Sequence, residues 1–520
     1  MDGIVGSLKG NRTRLVTLAV LVVLGLLAIQ GMETKDWFIT VMRGLSLGML
    51  VFLVAAGLSL IFGLMDVLNL AHGEMFMLGA YVGWTVFVRP DTFVDVLPLV
   101  LVFVGGLALT ATWQTLLGRW QISERLRNIW PWILLLLALL LLALTAIRYP
   151  VAIWNPEVYA ESPITFSLSL SQGNLLLPPA PEATINVTLL LVMIFLCGLI
   201  LAAAIAGFRL RKETGQSGAK LPLRPIIIAV LLLVAGLGLQ AANAAVTDFL
   251  LSLSTTVRFF LALLVALIMG IVLGALTEAT MIRPLYKRPI YQLMLTLGLS
   301  FIIIEVVRAI WGRPEFTMPK AAFFDGGGEA CPATNIGDLL AHNCSTIILL
   351  EGRLRFYNEV FIILVGLLVL LAVWLIIQRT RIGMIIRAGV QDSEMVEALG
   401  INVRQVFTLV FAIGVGLAAF GGVLAAPSIG LSTDMGTRFL LLALIALAIG
   451  GLTSFPGAAA GSILVGLLQQ FIIKYGQIGI NLPFLEEPFK PSPPLVPASV
   501  ILLMVIILLL LPSGLFGRSD

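Results

Sequence analysis

The stretch from residue 44 to residue 82, GLSLGMLVFLVAAGLSLIFGLMDVLNLAHGEMFMLGAYV, determines the fold predicted for this chain. It begins as an apolar run, breaks at residues 66–69 (DVLN), and becomes apolar again after AHGE at 71–74. One of the two histidines of the chain, His72, lies in this break, two residues before the carboxylate of Glu74. Ionisable groups at membrane depth are costly, and they mark a solute pathway by default. The stretch therefore predicts a helix, a break and a short helix along a polar route.

Composition indicates an all-α, polytopic membrane protein. Of the 520 residues, 59% are hydrophobic and 12% are charged, whereas soluble domains carry roughly 25% charged residues. Apolar runs of about 20 residues, enough to cross the hydrocarbon core, recur from end to end. No G-x-x-x-x-G-K-[ST] loop is present, so we expect no ATP site of that kind in this chain. We also expect no cofactor, and no enzymatic activity, because the sequence offers no catalytic constellation.

Fourteen apolar segments are predicted to span the membrane. The first follows Lys9, Arg12 and Arg14 but lacks a small-residue cleavage site, so it is interpreted as a retained span and not a signal peptide. The predicted spans are 15–30, 44–64, 69–88, 96–117, 129–147, 187–207, 225–245, 259–280, 290–310, 358–378, 405–427, 438–452, 457–473 and 496–512.

The basic residues predict that both termini are cytoplasmic. With the N-terminus inside, the connections at 118–128, 208–224, 281–289 and 379–404 are cytoplasmic, and they hold most of the Lys and Arg. The long outer loop 311–357 also carries several basic residues, but long loops obey the positive-inside rule weakly. Within 118–257 no polar cluster suggests a site, and its Leu- and Ala-rich spans are typical of a peripheral scaffold that faces lipid.

The break at 69–74 is the first candidate site. Asn69, His72 and Glu74 could bind a polar solute, with Gly73 allowing close approach of backbone or solute. Alternatively they only cap the helix that follows: Asn69 suits an N-cap, and Glu74 complements the helix dipole. Pathway and cap can coexist. We expect no metal site, because one histidine and one glutamate are too few ligands.

The second candidate is the loop 379–404, RTRIGMIIRAGVQDSEMVEALGINVR. Asp392 is suited to cap a short helix with Glu394 in its first turn and a stop at Gly400. Apolar residues on one face and acidic residues on another indicate either a helix lying at the membrane interface or a docking element for a partner. The apolar residues are Met395, Val396 and Leu399, and the acidic residues are Glu394 and Glu397.

Two further features have both a structural and a functional interpretation. The glycine-rich stretch 441–470 is typical of close helix packing, although a second glycine-interrupted segment can also mark a binding site between two halves. Cys331 and Cys344 share the outer loop, where thiols can oxidise, and we expect a disulfide between them. It would close a loop of about 14 residues and contribute ~3 kcal/mol in the chain-entropy model.

Four blocks of the sequence resemble the LivH-type permeases, the membrane subunits of ATP-driven importers for branched-chain amino acids, urea or amides. The blocks begin with GLSLIFGLMDVLNLAHGEMF at 57–76, GALTEATMIRPLYKRP at 274–289, GMIIRAGVQDSEMVEALGINVR at 383–404 and DMGTRFLLLALIALAIGGL at 434–452. The resemblance covers 41–117 and 258–512. It leaves 1–40 as an extra N-terminal span and 118–257 as inserted spans.

The resemblance implies a subunit of a heteromeric importer in the bacterial cytoplasmic membrane. Two ATPase subunits, a second permease, identical or paralogous, and an extracytoplasmic solute-binding protein would be its partners. By position, the resemblance assigns ATPase coupling to Arg387, Asp392, Glu394, Glu397, Leu399 and Gly400.

Other functions stay open at this stage. An importer of urea or a short amide fits the same blocks. A proton-coupled secondary transporter with His72 and Glu74 as relay is the alternative from another class, and a membrane-embedded enzyme would need a catalytic constellation that the sequence does not offer.

Overall fold

The computed structural model describes most of the chain between residues 32 and 517. The predicted first span, the interior of the 148–186 loop, much of the basic linker and Asp392 lie outside the described residues. The described ranges are 32–119, 124–148, 186–210, 221–286, 288–312, 315, 317–327, 331–391, 393–480 and 487–517.

Helices dominate the described ranges, in agreement with the all-α prediction. They are, in chain order, α1 Thr34–Met65, α2 His72–Val88, α3 Pro90–Ala108, α4 Thr110–Leu117, α5 Glu124–Arg148, α6 Val187–Leu210, α7 Leu223–Ala241, α8 Asn243–Ser252, α9 Thr255–Thr277, α10 Pro289–Trp311, α11 Ile336–His342, α12 Ile362–Arg379, α13 Arg381–Gln391, α14 Ser393–Ala398, α15 Val403–Ile429, α16 Met435–Gly450, α17 Phe455–Ile478 and α18 Leu495–Leu510.

Ten helical stretches in the described ranges are long and apolar enough to cross a membrane. Thirteen of the predicted spans coincide with helices, but α2, α16 and α18 have only 17, 16 and 16 residues. At a rise of about 1.5 Å per residue these three are each ~25 Å long, shorter than the ~30 Å hydrocarbon core. The count of fourteen spans therefore stays a prediction, since length and composition identify ten in the described ranges. The side that each terminus faces stays a prediction.

The centre of the bundle is built from α1 and α15, which are the most buried long helices. In each, 83% of the most apolar 18-residue window is buried, against 17% in α5 and 11% in α7. Helix α1 packs along α17 and α15, and α9 packs along α15 and α2. Helices α3 to α8 pack mainly on one another and meet the centre where α3 contacts α2. Their division into an inserted region stays a prediction.

A small hairpin in the loop 311–357 is the exception to the helical fold. Strand β1 (Thr346–Leu349) pairs antiparallel with β2 (Gly352–Arg355). The connecting residues Leu350 and Glu351 have φ of 50° and 63°, values typical of the two-residue turns that follow the twist of a hairpin. The hairpin contacts α1, since Gly352 lies against the side chain of Ile39.

Candidate functional site

The break between α1 and α2 forms a turn held by hydrogen bonds. Helix α1 ends because Asp66 takes a left-handed conformation with φ 50°, and its N–H donates to the Phe62 carbonyl. The Asn69 side-chain oxygen accepts the Ala71 N–H at 3.2 Å, and the Leu70 N–H donates to the Thr296 hydroxyl at 3.2 Å. The sequence pattern had indicated that Asn69 caps the helix. Since α2 begins at His72, Asn69 instead closes the turn before the helix and does not cap its first amides.

Helix α2 begins inside the bundle, away from the ends of its neighbours. The His72 ring lies against Gly57 of α1, and Gly57 in turn touches the carbonyl of Gly414. Gly57 is eight residues before the end of α1 and Gly414 eleven residues after the start of α15, or about 12 and 17 Å along the helix axes. We call this crossing, from Gly57 and Gly414 to the first turn of α2, the central junction.

Polar side chains at the central junction are enclosed by protein. Asn69, His72 and Glu74 are each at most 1% exposed. One Glu74 oxygen accepts from the Thr437 hydroxyl at 3.0 Å. The other Glu74 oxygen and the Asn69 amide nitrogen have no hydrogen-bond partner among the described residues, whereas the His72 ring lies against the backbone of Val54. Each such buried group costs about 1–3 kcal/mol, which makes the junction a candidate for function.

The first turn of α16 meets the first turn of α2 at this point. Gly73 contacts the carbonyl of Gly436, and Gly436 contacts the backbone of Gly73 and Glu74. One turn further, the rings of Phe76 and Phe439 stack with centroids 4.5 Å apart. The two helices begin with similar sequences, GEMF at 73–76 and GTRF at 436–439. The glycine and the phenylalanine of one sequence contact the glycine and the phenylalanine of the other. Two short helices thus start from one interior point, each after a long helix of the central pair.

Sequence reasoning missed this second half of the junction. It singled out the glycines of 441–470, but the residues that meet α2 lie just before them, at 436–439. The repeated pattern G-x-x-F, each time after a long apolar run and a polar break, was the available signal.

The 379–404 segment folds as two short helices, α13 and α14. Arg387 reaches back to the end of α12, where its guanidinium donates to the Ile377 carbonyl at 2.6 Å and to the Gln378 side chain at 2.9 Å. Such a cation at a helix C-terminus satisfies its free carbonyls. Glu394 lies in α14, and Asp392, the expected cap, is outside the described residues.

Helix α14 ends at Gly400, where the sequence predicts the stop. Gly400 has φ +81°; its N–H donates to the Glu397 carbonyl at 2.9 Å, and the Ile401 N–H donates to the Val396 carbonyl at 3.3 Å. This pair of bonds is the Schellman motif. Val396 faces inward, whereas Met395 and Leu399 are 64% and 72% exposed. The helix therefore presents apolar side chains outward, together with the exposed Glu397.

In the loop 311–357, Cys331 and Cys344 are joined by a disulfide. Cys344 is fully buried, and its N–H donates to the Leu339 carbonyl of α11 at 3.1 Å. The disulfide joins Cys331, which precedes α11, to Cys344, which follows it.

Comparison with known proteins identifies the family. The family model described as the branched-chain amino acid transport system permease component matches residues 40–217 and 221–511. The chain belongs to this permease family. With its many apolar helices, it is a multi-pass protein of the cytoplasmic membrane.

Individual relatives match shorter parts of the chain than the family model does. The chain is similar to the high-affinity branched-chain amino acid transport system permease protein BraD of Pseudomonas aeruginosa, 36% identical over 24% of this chain and 40% of BraD. It is similar to LivH of Escherichia coli strain K12, 29% identical over 30% of this chain and 46% of LivH. The fructose import permease protein FruF of Bifidobacterium longum is 24% identical over 43% of this chain and 58% of FruF. The chain thus spans about half the length of these relatives or less. No solved structure matches it.

Proposed function

We propose that this chain is the membrane permease subunit of an ATP-driven importer of branched-chain amino acids. The observation that carries the proposal is the family match over most of the chain, together with the relatives BraD and LivH. Two ATPase subunits, a second permease subunit and a solute-binding protein complete the importer. Relatives named as fructose and galactose permeases favour a monosaccharide as the second candidate solute.

The solute is identified by uptake into proteoliposomes that contain the complete importer with ATP inside. Labelled leucine, fructose, galactose and urea are compared at equal concentration, with a hydrolysis-deficient ATPase as the control. ATP-dependent accumulation of leucine alone supports the proposal. Accumulation of a sugar or of urea instead would replace the assigned solute, and accumulation by the isolated chain without ATPase would exclude the ATP-driven class.

The exposed face of α14 is the proposed docking site for an ATPase subunit. Leu399 offers an apolar side chain and Glu397 a charge, on a helix whose end is fixed by Gly400. Arg387 holds α13 to the end of α12, and Asp392 and Glu394 complete the candidate set. An apolar anchor with a polar surround is the usual energetic centre of an interface.

The docking assignment is tested by replacing Glu397 and Leu399 together with alanine. We expect binding of the ATPase subunits and solute uptake to fall while the chain still folds, because both side chains are exposed. The matched control is Ile336→Ala, which removes a side chain of similar exposure, 68%, from α11 in the loop 311–357. Unchanged ATPase binding in the double variant would refute the assignment.

The central junction is proposed to border the solute route. Asn69, His72, Gly73 and Glu74 are enclosed here, so the route opens only when α2 and α16 move apart, as expected for alternating access. His72→Ala should then change the KM and the maximal rate of uptake. The control is Ser462→Ala, which removes a buried hydroxyl without a partner among the described residues. It should leave the KM and the maximal rate of uptake unchanged. Equal effects of the two variants would argue against a role of His72 at the route.

A further inference from the structure

A second buried polar cluster lies where α9 ends, and sequence reasoning did not single it out. The Glu278 carboxylate, fully buried, starts a π-helical turn directly after α9. It accepts two hydrogen bonds from the Arg283 guanidinium, at 3.2 and 2.8 Å, and one from the Thr408 hydroxyl at 2.7 Å. The Tyr286 hydroxyl also donates to it. Burial, and then the Glu278 carboxylate, raises the pKa of Tyr286, so this hydroxyl keeps its proton.

The cluster joins two helices that are far apart in the chain. Thr408 lies in the second turn of α15, and its oxygen also accepts from Arg283 at 2.6 Å. A buried carboxylate is costly unless it is paired and hydrogen-bonded, so losing any one of the three partners of Glu278 weakens the arrangement of the others. The fork of Arg283 adds fixed geometry. The end of α9 and the start of α15 are thereby fixed in one arrangement.

The same cluster is in contact with the 379–404 segment at two places: the Thr408 hydroxyl lies 2.8 Å from the Arg404 carbonyl, and an aromatic side chain reaches α13. The ring of Phe407, next to Thr408, packs edge-on against Tyr286 with centroids 5.9 Å apart. Phe407 also packs against the apolar pair of Ile386 on α13 and Val410 on α15. A displacement of α13 is therefore passed to Phe407 and from there to the groups around Glu278.

Further along, α9 and α15 are in close contact without polar bonds. A side chain at Gly270 or Gly274 would lie within 3 Å of atoms of Gly416, Ala419, Ala412 or Val415 of α15. Apolar surfaces of small residues can slide or tilt over one another, whereas the Glu278 cluster cannot do so without breaking charged hydrogen bonds.

We propose that Glu278, Arg283, Tyr286 and Thr408 are positioning residues that make α9 and α15 move as one body when an ATPase subunit displaces the 379–404 segment. The inference rests on the proposed function, since it assumes that this segment docks an ATPase. It adds a role for residues that lie outside both the proposed docking face of α14 and the central junction. Their contribution is measured as solute accumulated per ATP hydrolysed.

The test is Thr408→Val in the complete importer in proteoliposomes. The substitution preserves the side-chain shape and removes the hydroxyl through which α15 is bonded to Glu278 and Arg283. We expect stimulated ATP hydrolysis to persist while solute accumulated per ATP falls about five-fold or more, the low end of usual coupling between sites. Thr408→Ser, which keeps the hydroxyl, should restore the wild-type ratio.

The matched control lies at the other end of the same helix. Ser428→Ala removes the hydrogen bond from the Ser428 hydroxyl to the Asn358 side chain, 3.1 Å long, and should leave the ratio unchanged. If Thr408→Val does not assemble, Arg283→Lys takes its place, because lysine keeps the charge but cannot form the fork; it should also lower the ratio.

The outcomes separate the two proposals. A wild-type importer that shows no ATP-driven uptake overturns the proposed function. Normal wild-type uptake with an unchanged ratio in Thr408→Val, or in Arg283→Lys, overturns the positioning role. The same holds if Ser428→Ala lowers the ratio as much as Thr408→Val, since the loss then reflects any weakened helix contact.

Discussion

Replacing Gly73 with alanine should destabilise the chain, because the first turn of α2 has no room for a side chain. A Cβ atom at this position would lie 2.2 Å from the Gly436 carbonyl oxygen and 2.7 Å from the Leu440 Cβ. A normal carbon–oxygen contact is longer by about 1 Å. The obstacle is backbone of α16, which cannot rotate away as a side chain would. The two short helices must therefore separate at the central junction.

The size of the effect follows from two opposing terms. Overpacking a well-packed core costs typically about 1–3 kcal/mol, whereas exchanging glycine for alanine inside a helix gains up to about 1 kcal/mol. Gly298 of α10 isolates the second term, because a Cβ there would meet no atom within 4 Å. Because the helix gain is common to both variants, we expect Gly73→Ala to lie about 1–3 kcal/mol below Gly298→Ala in free energy of unfolding.

The assay is reversible unfolding in mixed micelles of a mild detergent and dodecyl sulfate. Trp84, buried on α2, contributes to the fluorescence that reports the transition. Gly436→Ala should have a similar effect, and the double variant should cost less than the sum, since the first substitution already separates the helices. Equal free energies of unfolding for Gly73→Ala and Gly298→Ala would refute the tight contact between α2 and α16.

Three other outcomes are expected. The denatured chain should react with one thiol equivalent, from Cys197, before reduction and three afterwards; an unchanged count would disprove the bond between Cys331 and Cys344. Gly400→Val should lower ATPase binding, since a branched residue at φ +81° costs about 1–3 kcal/mol, while Gly389→Ala on α13, where a Cβ meets nothing within 4 Å, should not; equal binding would remove the role of the helix stop. Leucine uptake driven by ATP inside liposomes should persist with a protonophore, and its collapse would favour proton coupling.

The helices of the centre could be predicted from the sequence because their signal is local. Long apolar runs at 44–64 and 405–427 coincide with α1 and α15, and the break at 66–69 coincides with the turn between α1 and α2. Gly400 ends its helix as predicted, since few other residues adopt that backbone conformation without strain. The family resemblance drawn from four blocks is confirmed by the family match.

The remaining features depend on contacts between distant parts of the chain. The meeting of Gly73 with Gly436 joins positions 363 residues apart, and the hydropathy of each run is the same whether or not they meet. The hairpin was missed because its turn consists of Leu350 and Glu351, where glycine or asparagine is the usual signal. Glu278 was not singled out from the sequence, because its partner Thr408 comes much later in the chain.

The burial of Cys197 has a practical consequence for following conformational change. Its side chain is 1% exposed, and its thiol donates to the Ala138 carbonyl at 3.2 Å. With the other two cysteines bonded to each other, the folded chain offers no reactive thiol of its own. A single introduced cysteine outside the proposed docking residues, such as Met384→Cys at a side chain that is 62% exposed, would therefore carry a spin label or fluorophore selectively. Spectroscopy could then record the travel of α13 through the ATP cycle in an otherwise native sequence.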